Sequence, residues 1–126
     1  MYSSILVVDD EEMIRRVAAR MLSLNGFGVL EAANGSEALE VLDRGANRVD
    51  LVVTDVAMPV LDGRALGEAI ARRWPDLPVL YMSGYAPDEQ LVAHVVQAKV
   101  PFLPKPFTAE VLLQRVRQLT GPGSEH

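Results

Sequence analysis

The chain has 126 residues and a mass of 13.8 kDa, with 49% hydrophobic and 23% charged residues, which suits one ordinary domain with a real core and excludes general disorder. A net charge of -5 and a pI near 4.9 argue against non-specific nucleic-acid binding, and the absence of cysteine excludes disulfides and thiolate metal sites. Met1-Tyr2-Ser3-Ser4 leads into an apolar run too short to span a bilayer and carries no basic leader, so neither export nor membrane insertion is expected, and a cytoplasmic site is.

In chain order, Ile5-Leu6-Val7-Val8 is a continuous apolar run ending on Asp9-Asp10, the pattern of a strand buried on both faces. A helix is predicted from Glu11 or Glu12 to Leu24, acidic in its first turn and stopped by Asn25-Gly26. Phe27 to Ala32 reads as a second strand, placed at an edge by Glu31. Asn34 with Glu37 resembles a capping box and opens a helix to about Arg44, with loop from Gly45 to Asp50. The third strand, Leu51-Val52-Val53-Thr54-Asp55, is again apolar and again ends on a carboxylate.

The second half repeats this rhythm. A helix is predicted from Arg64 to Trp74, a strand over Val79-Leu80-Tyr81-Met82 ending on Ser83-Gly84, and a helix from Asp88 to about Gln97. Phe102-Leu103-Pro104 is the fifth strand, at an edge because Pro104 cannot donate to a ladder, and it ends on Lys105-Pro106. Thr108 caps a last helix, Ala109 to Leu119. One domain is expected over residues 1–120, followed by a flexible tail at 121–126.

Strands alternating with helices predict an α/β fold, a doubly wound five-stranded parallel sheet with right-handed crossovers. In the order 2-1-3-4-5, both predicted edges fall on strands two and five. The crevice between strands one and three is then the topological switch point, where ligands bind outside the carboxyl ends of the strands. Asp9, Asp10 and Asp55 project there, with Ser83 and Lys105 alongside.

Such a cluster needs neutralising, because two unit charges about 4 Å apart repel by roughly 4 kcal/mol at an effective dielectric near 20. Lys105 supplies one positive charge. An oxygen-loving divalent cation would supply the rest, and Mg²⁺ suits best because it takes one or two carboxylates, keeps waters and accepts a phosphoryl oxygen, with Mn²⁺ as substitute. A carboxylate beside that ion is a plausible nucleophile for phosphorus.

Leu6-Val7-Val8-Asp9-Asp10-Glu11, Thr54-Asp55-Val56-Ala57-Met58-Pro59 with Asp62-Gly63, Ser83-Gly84-Tyr85 and Lys105-Pro106-Phe107 resemble, in order and spacing, the receiver domain of two-component response regulators. The resemblance spans essentially the whole chain and implies a flavodoxin-like receiver fold. It implies that Asp55 accepts a phosphoryl group from the phosphohistidine of a histidine kinase or phosphotransfer domain, or from a small donor such as acetyl phosphate. Asp10, Asp55 and the backbone carbonyl of Ala57 would bind Mg²⁺, with Asp9 acting through a metal-bound water. Ser83 and Lys105 would contact phosphoryl oxygens, and Lys105-Pro106 would be a cis peptide.

Family members commonly have Thr at the position of Ser83 and often Tyr at that of Phe102, so the switch pair here is Ser83 and Phe102, and any switch through Phe102 is steric. Small Ala57 and Gly84 leave the acid pocket open, partly covered by Tyr85. The wording around Ser83 and Lys105 is similar to receivers fused to hybrid sensor kinases. On the first helix, 100° spacing puts Ile14, Val17, Ala18 and Met21 at the centre of the apolar face, with Met13 and Leu24 at its margin beside Arg16 and Arg20. The receiver resemblance implies that this margin, close to Asp55, docks against the helical bundle of a histidine kinase, which makes Met13, Arg16 and Arg20 the expected partner-binding residues. Stems of long side chains covering the core edge explain the same margin equally well.

Trp74, Tyr2 and Phe27 are read as packing, His94 as surface, and Met58 and Pro59 as shaping the loop. A haloacid-dehalogenase-type phosphotransferase would need a second Asp two residues after the nucleophile, where this chain has Ala57, so a turnover enzyme is not expected. A flavodoxin-like cofactor binder would need a phosphate-cradling loop where Asp9-Asp10-Glu11-Glu12 stand. A monomer is expected.

Overall fold

The runs Ile5-Leu6-Val7-Val8 and Leu51-Val52-Val53 have no polar face to offer water, and they form the middle of a parallel sheet with core on both sides. This is seen in a computed structural model that describes residues 3–45, 48–56, 58, 61–83 and 101–120. The elements are β1 (Ser4–Val8), α1 (Glu12–Leu24), β2 (Gly28–Ala32), α2 (Gly35–Gly45), β3 (Leu51–Asp55), α3 (Gly63–Arg73), β4 (Val79–Ser83), β5 (Phe102–Pro104) and α4 (Ala109–Thr120). The sheet order is β2-β1-β3-β4-β5, all parallel, as expected.

Alternation along the strands divides the core into two layers. Ile5, Val7, Leu51, Val53, Leu80, Met82 and Leu103 pack with Ala18 and Leu22 of α1 and with Leu112 and Val116 of α4. Leu6, Val8 and Val52 pack on the other face with Ala38 and Leu42 of α2 and with Leu66 and Ile70 of α3. Register places Val8 beside Thr54, and Asp55 beside Met82, so the strand ends that carry the acidic residues meet at one edge.

The helix signals act as their chemistry suggests. Gly26 takes φ 90°, which suits glycine after the α1 C-cap Asn25. Asn34 Oδ1 accepts from the Glu37 N–H at 2.8 Å, Asp62 Oδ1 from Ala65 N–H at 2.8 Å, and Thr108 Oγ1 from Val111 N–H at 3.2 Å. The third helix runs one residue ahead of the expected span at both ends. β2 and β5 are the edges, and Pro104 sits exposed at the end of β5.

One expectation is corrected. Val17 is 45% exposed, and the buried residues of α1 are Ala18, Ala19 and Leu22, so the face centred on Ile14, Val17, Ala18 and Met21 is rotated from the one that meets the sheet. Arg15 occupies the inner stripe with these residues, and the alanines beside it are small enough for close approach to the sheet. Met58 is also more than a loop former, since it is buried in the second core layer. Phe27 and Trp74 are half-buried packing residues, the latter with the Arg73 guanidinium 4.4 Å from its ring centroid. Arg73 also pairs with Asp43.

The expected helix at 88–97, the 121–126 tail, and the readings of Tyr2, Ala57, Pro59, Gly84, Tyr85 and His94 lie outside the described residues. Among the described residues no helix is long and apolar enough to cross a membrane.

Candidate functional site

Every residue of β3 is buried, so Asp55 reaches the carboxyl edge of the sheet on a strand packed along its whole length. The chain then turns back tightly: Gly63 N–H donates to the Val56 carbonyl at 2.9 Å, and a Cβ on Gly63 would overlap the Asp55 carbonyl oxygen. Glycine after Asp62 is thus what allows α3 to start against the Asp55 peptide. The Val56 N–H is shared between Met82 O at 3.0 Å and Asp55 Oδ1 at 2.9 Å, which fixes one carboxylate oxygen toward its own backbone.

Asp9, Asp10 and Asp55 come together, each with a carboxylate oxygen within 4.8 Å of the others. Asp9 is fully buried and Asp55 is 5% exposed, whereas Asp10 is exposed at the mouth. Asp9 Oδ1 accepts from Glu11 N–H at 2.9 Å, and Asp9 Oδ2 accepts from Lys105 Nζ at 2.9 Å. Lys105 Nζ is also 3.4 Å from Asp55 Oδ2. The Asp10 carboxylate has no hydrogen bond or ion pair within the described part of the chain.

Burial pushes the Asp55 carboxyl up from the ordinary range, Lys105 opposes this, and the Asp9 charge adds to it. For Lys105, burial pulls the ammonium down, but the hydrogen bond to Asp9 and the Asp55 charge outweigh it, and the net direction is up. One ammonium thus serves two carboxylates while a third stands open. The donor set is oxygen only and anionic, and it fits a hard divalent cation better than a soft one.

Of the other expected site residues, Phe102 opens β5 half-buried, beside Tyr81 in register. Ser83 closes β4 opposite Pro104, described for its backbone and not its side chain. The Lys105-Pro106 peptide is cis. Met13 is 79% exposed and Arg20 is exposed. Arg16 is exposed too, but engaged: its guanidinium lies 3.5 Å from both Glu12 and Glu31. A groove of about 600 Å³ runs from Asp55 and Lys105 along Met13, Ile14, Val17 and Phe107.

Arg15 was not among the expected site residues. Its Nη1 donates to the Asp9 carbonyl at 2.9 Å and its Nε to Glu31 Oε1 at 3.0 Å. The signal for it was an arginine three and seven residues before Ala18 and Leu22, on the stripe that the core needs.

A family model for the response regulator receiver domain matches residues 5–117. The chain is 38% identical over 117 residues to the sensor kinase CckA of Brucella abortus (strain 2308), covering 93% of this chain and 12% of that kinase. It is 41% identical over 115 residues to the response regulator MprA of Mycobacterium sp. (strain KMS), covering 91% of this chain and 49% of that regulator. The chain thus spans about half or less of the length of these relatives. The crystal structure of the receiver domain from the hybrid histidine kinase CckA superposes with a TM-score of 0.78 at 36% identity, covering 94% of this chain and 100% of that one.

Proposed function

The chain belongs to the response regulator receiver domain family, and on that premise we propose that Asp55 is its phosphoacceptor, taking a phosphoryl group from a histidine kinase or phosphotransfer domain. What supports this is a nearly buried carboxylate at the switch point, with two further aspartates within 4.8 Å and Lys105 Nζ 3.4 Å away. An Asp55 oxygen attacks phosphorus as the P–N bond of phosphohistidine breaks, and the electron pair returns to the imidazole. With acetyl phosphate, a P–O bond breaks instead and acetate leaves.

The chain's own contribution is position and charge. Val56 N–H holds one Asp55 oxygen, leaving the other on the Lys105 side. Lys105, drawn toward both Asp9 and Asp55, is placed to follow negative charge onto the incoming phosphoryl oxygens, with Ser83 as the second such contact. Asp10, Asp55 and the Ala57 carbonyl would hold Mg²⁺, or Mn²⁺ in its place, with Asp9 acting through water. That ion would neutralise the cluster and polarise the phosphoryl group. Ser83 and Phe102 form the switch pair, and the domain catalyses only its own phosphorylation and dephosphorylation. Residues 1–120 as one domain, a monomer and a cytoplasmic location belong to the same proposal.

The partner surface is the outer margin of α1. The groove beside Asp55 runs along this helix, and Met13 stands exposed at its mouth, so a histidine-bearing helix laid there would bring its phosphoryl group to the acid cluster. Met13, Arg16 and Arg20 would set specificity. Intact-mass analysis after acetyl phosphate treatment tests the chemistry: wild type should gain one phosphoryl group with Mg²⁺ and none with chelator, and Asp55→Asn should gain none. Changing Met13, Arg16 and Arg20 together should slow transfer from the partner kinase and spare labelling by acetyl phosphate. Equal slowing with both donors, or with neither, would remove the surface from the account.

A further inference from the structure

Arg15 makes two side-chain hydrogen bonds off its helix, whereas Arg16 beside it reaches Glu31 only as a 3.5 Å ion pair. The side chain is 14% exposed, and its guanidinium spans the Asp9 carbonyl oxygen at 2.9 Å and Glu31 Oε1 at 3.0 Å. Glu31 belongs to the edge strand β2, so the contact ties the turn after β1 to the strand beside it.

That carbonyl matters because it lies in the same rigid peptide plane as the Asp10 nitrogen. Holding the oxygen fixes the tilt of the plane, and with it the direction in which Asp10 leaves the chain. Asp9 is already held by Ala32 O at its N–H, by Glu11 N–H and by Lys105 at its carboxylate. Asp10 has no such side-chain restraint from the described residues, so its aim is set by the two peptides that flank it: the Glu11 N–H on one side, held by Asp9 Oδ1, and the Asp9 carbonyl on the other, held by Arg15. A planar fork can satisfy a carbonyl and a carboxylate at once, whereas a lysine ammonium is a single point charge.

We propose that Arg15 is a positioning residue for the cation site: it sets the Asp9-Asp10 peptide so that Asp10 faces Asp55, and Glu31 anchors the guanidinium. The inference rests on the reading of the acid cluster as a divalent-cation site. Glu31 is not part of the cluster; it also pairs with Arg16 at 3.5 Å, but among the described residues only Arg15 links it to the Asp9 carbonyl.

Mn²⁺ binding to the full chain, with free ion counted by electron paramagnetic resonance, reads this without any phosphodonor. Measurements are made well below each variant's unfolding midpoint, so lost stability alone does not change the affinity of the folded protein. Wild type should bind one ion and Asp10→Asn should lose it. Arg15→Met should weaken binding about tenfold, the lower end of what losing an outer-shell partner costs a metal site. Glu31→Gln should weaken it by a smaller factor. Arg15→Lys keeps the stem and the charge, tests the fork alone, and should also weaken binding should Arg15→Met fail to fold. Wild-type affinity in Arg15→Met and Arg15→Lys, with Asp10→Asn impaired, would overturn the inference. Wild-type affinity in Glu31→Gln alone would overturn the anchor. Equal binding by wild type and Asp10→Asn, or none by wild type, would instead defeat the cation reading beneath both.

Discussion

Asp55 is held in a state that costs the fold something. Its carboxyl is raised chiefly by burial, so the folded protein holds that proton more tightly than the unfolded chain does. The sign follows: its contribution to stability is greatest below the ordinary aspartate pKa and is lost as pH rises through the raised value. At neutral pH without divalent ion, Asp55→Asn should therefore be more stable than wild type by on the order of 1 kcal/mol, since it removes a buried charge beside Asp9 and leaves Lys105 its partner. Urea denaturation checks this, and a lower midpoint for the variant would contradict it. Lys105, also raised, follows the same sign at higher pH: its contribution is fully present at every pH below its ordinary value and is lost only as pH rises through its raised one. Much of this was legible in the sequence because Asp55 ends an uninterrupted apolar run. The link through Arg15 was not, because a helical wheel scores an arginine as outward, whatever its stem and fork find inside.

Elements meet here through size matching. On α3, a Cβ at Gly67 would overlap the Tyr81 hydroxyl of β4, so the strand's one aromatic residue is accommodated by the helix's lack of a side chain. Gly67→Ala should destabilise by roughly 1–3 kcal/mol, the usual cost of overpacking. Adding Tyr81→Phe should recover part of the loss, because the shorter ring removes the overlapping atom, and a purely additive double variant would contradict the contact. Burial also pushes the Tyr81 hydroxyl up. The unfolded chain then ionises first, and stability contributed by Tyr81 falls as pH rises from its ordinary value of 10.0 through the raised one. Thermal unfolding above pH 10 should show a smaller loss in Tyr81→Phe than in wild type. At this scale, strand positions and caps could be read from runs and turn residues. The orientation of α1 could not, because Val17 and Leu22 are equally apolar and only the sheet decides which one is covered.

For the whole molecule, the sheet order brings three strand ends to one edge, and the two strands that read as edges stand at the two ends of that order. Glu31 and Pro104 marked β2 and β5 correctly, so the switch point between β1 and β3 fell where the aspartates are. A site assembled this way should couple its cation to global stability. At about ten times its dissociation constant, Mg²⁺ should contribute roughly 1.4 kcal/mol. For a domain of this size, that is a rise in Tm of roughly 3 to 7 °C. Asp10→Asn should lose most of the rise in a thermal scan, and equal rises in both proteins would place the ion elsewhere. The most direct test of the central claim is to locate the phosphoryl group itself. Borohydride reduction of the acyl phosphate after acetyl phosphate treatment converts the acceptor aspartate to homoserine, and peptide mass spectrometry reads its position. Homoserine at position 55 is the predicted result; homoserine at position 9 or 10 with Asp55 unchanged, or an unmodified chain, would contradict it.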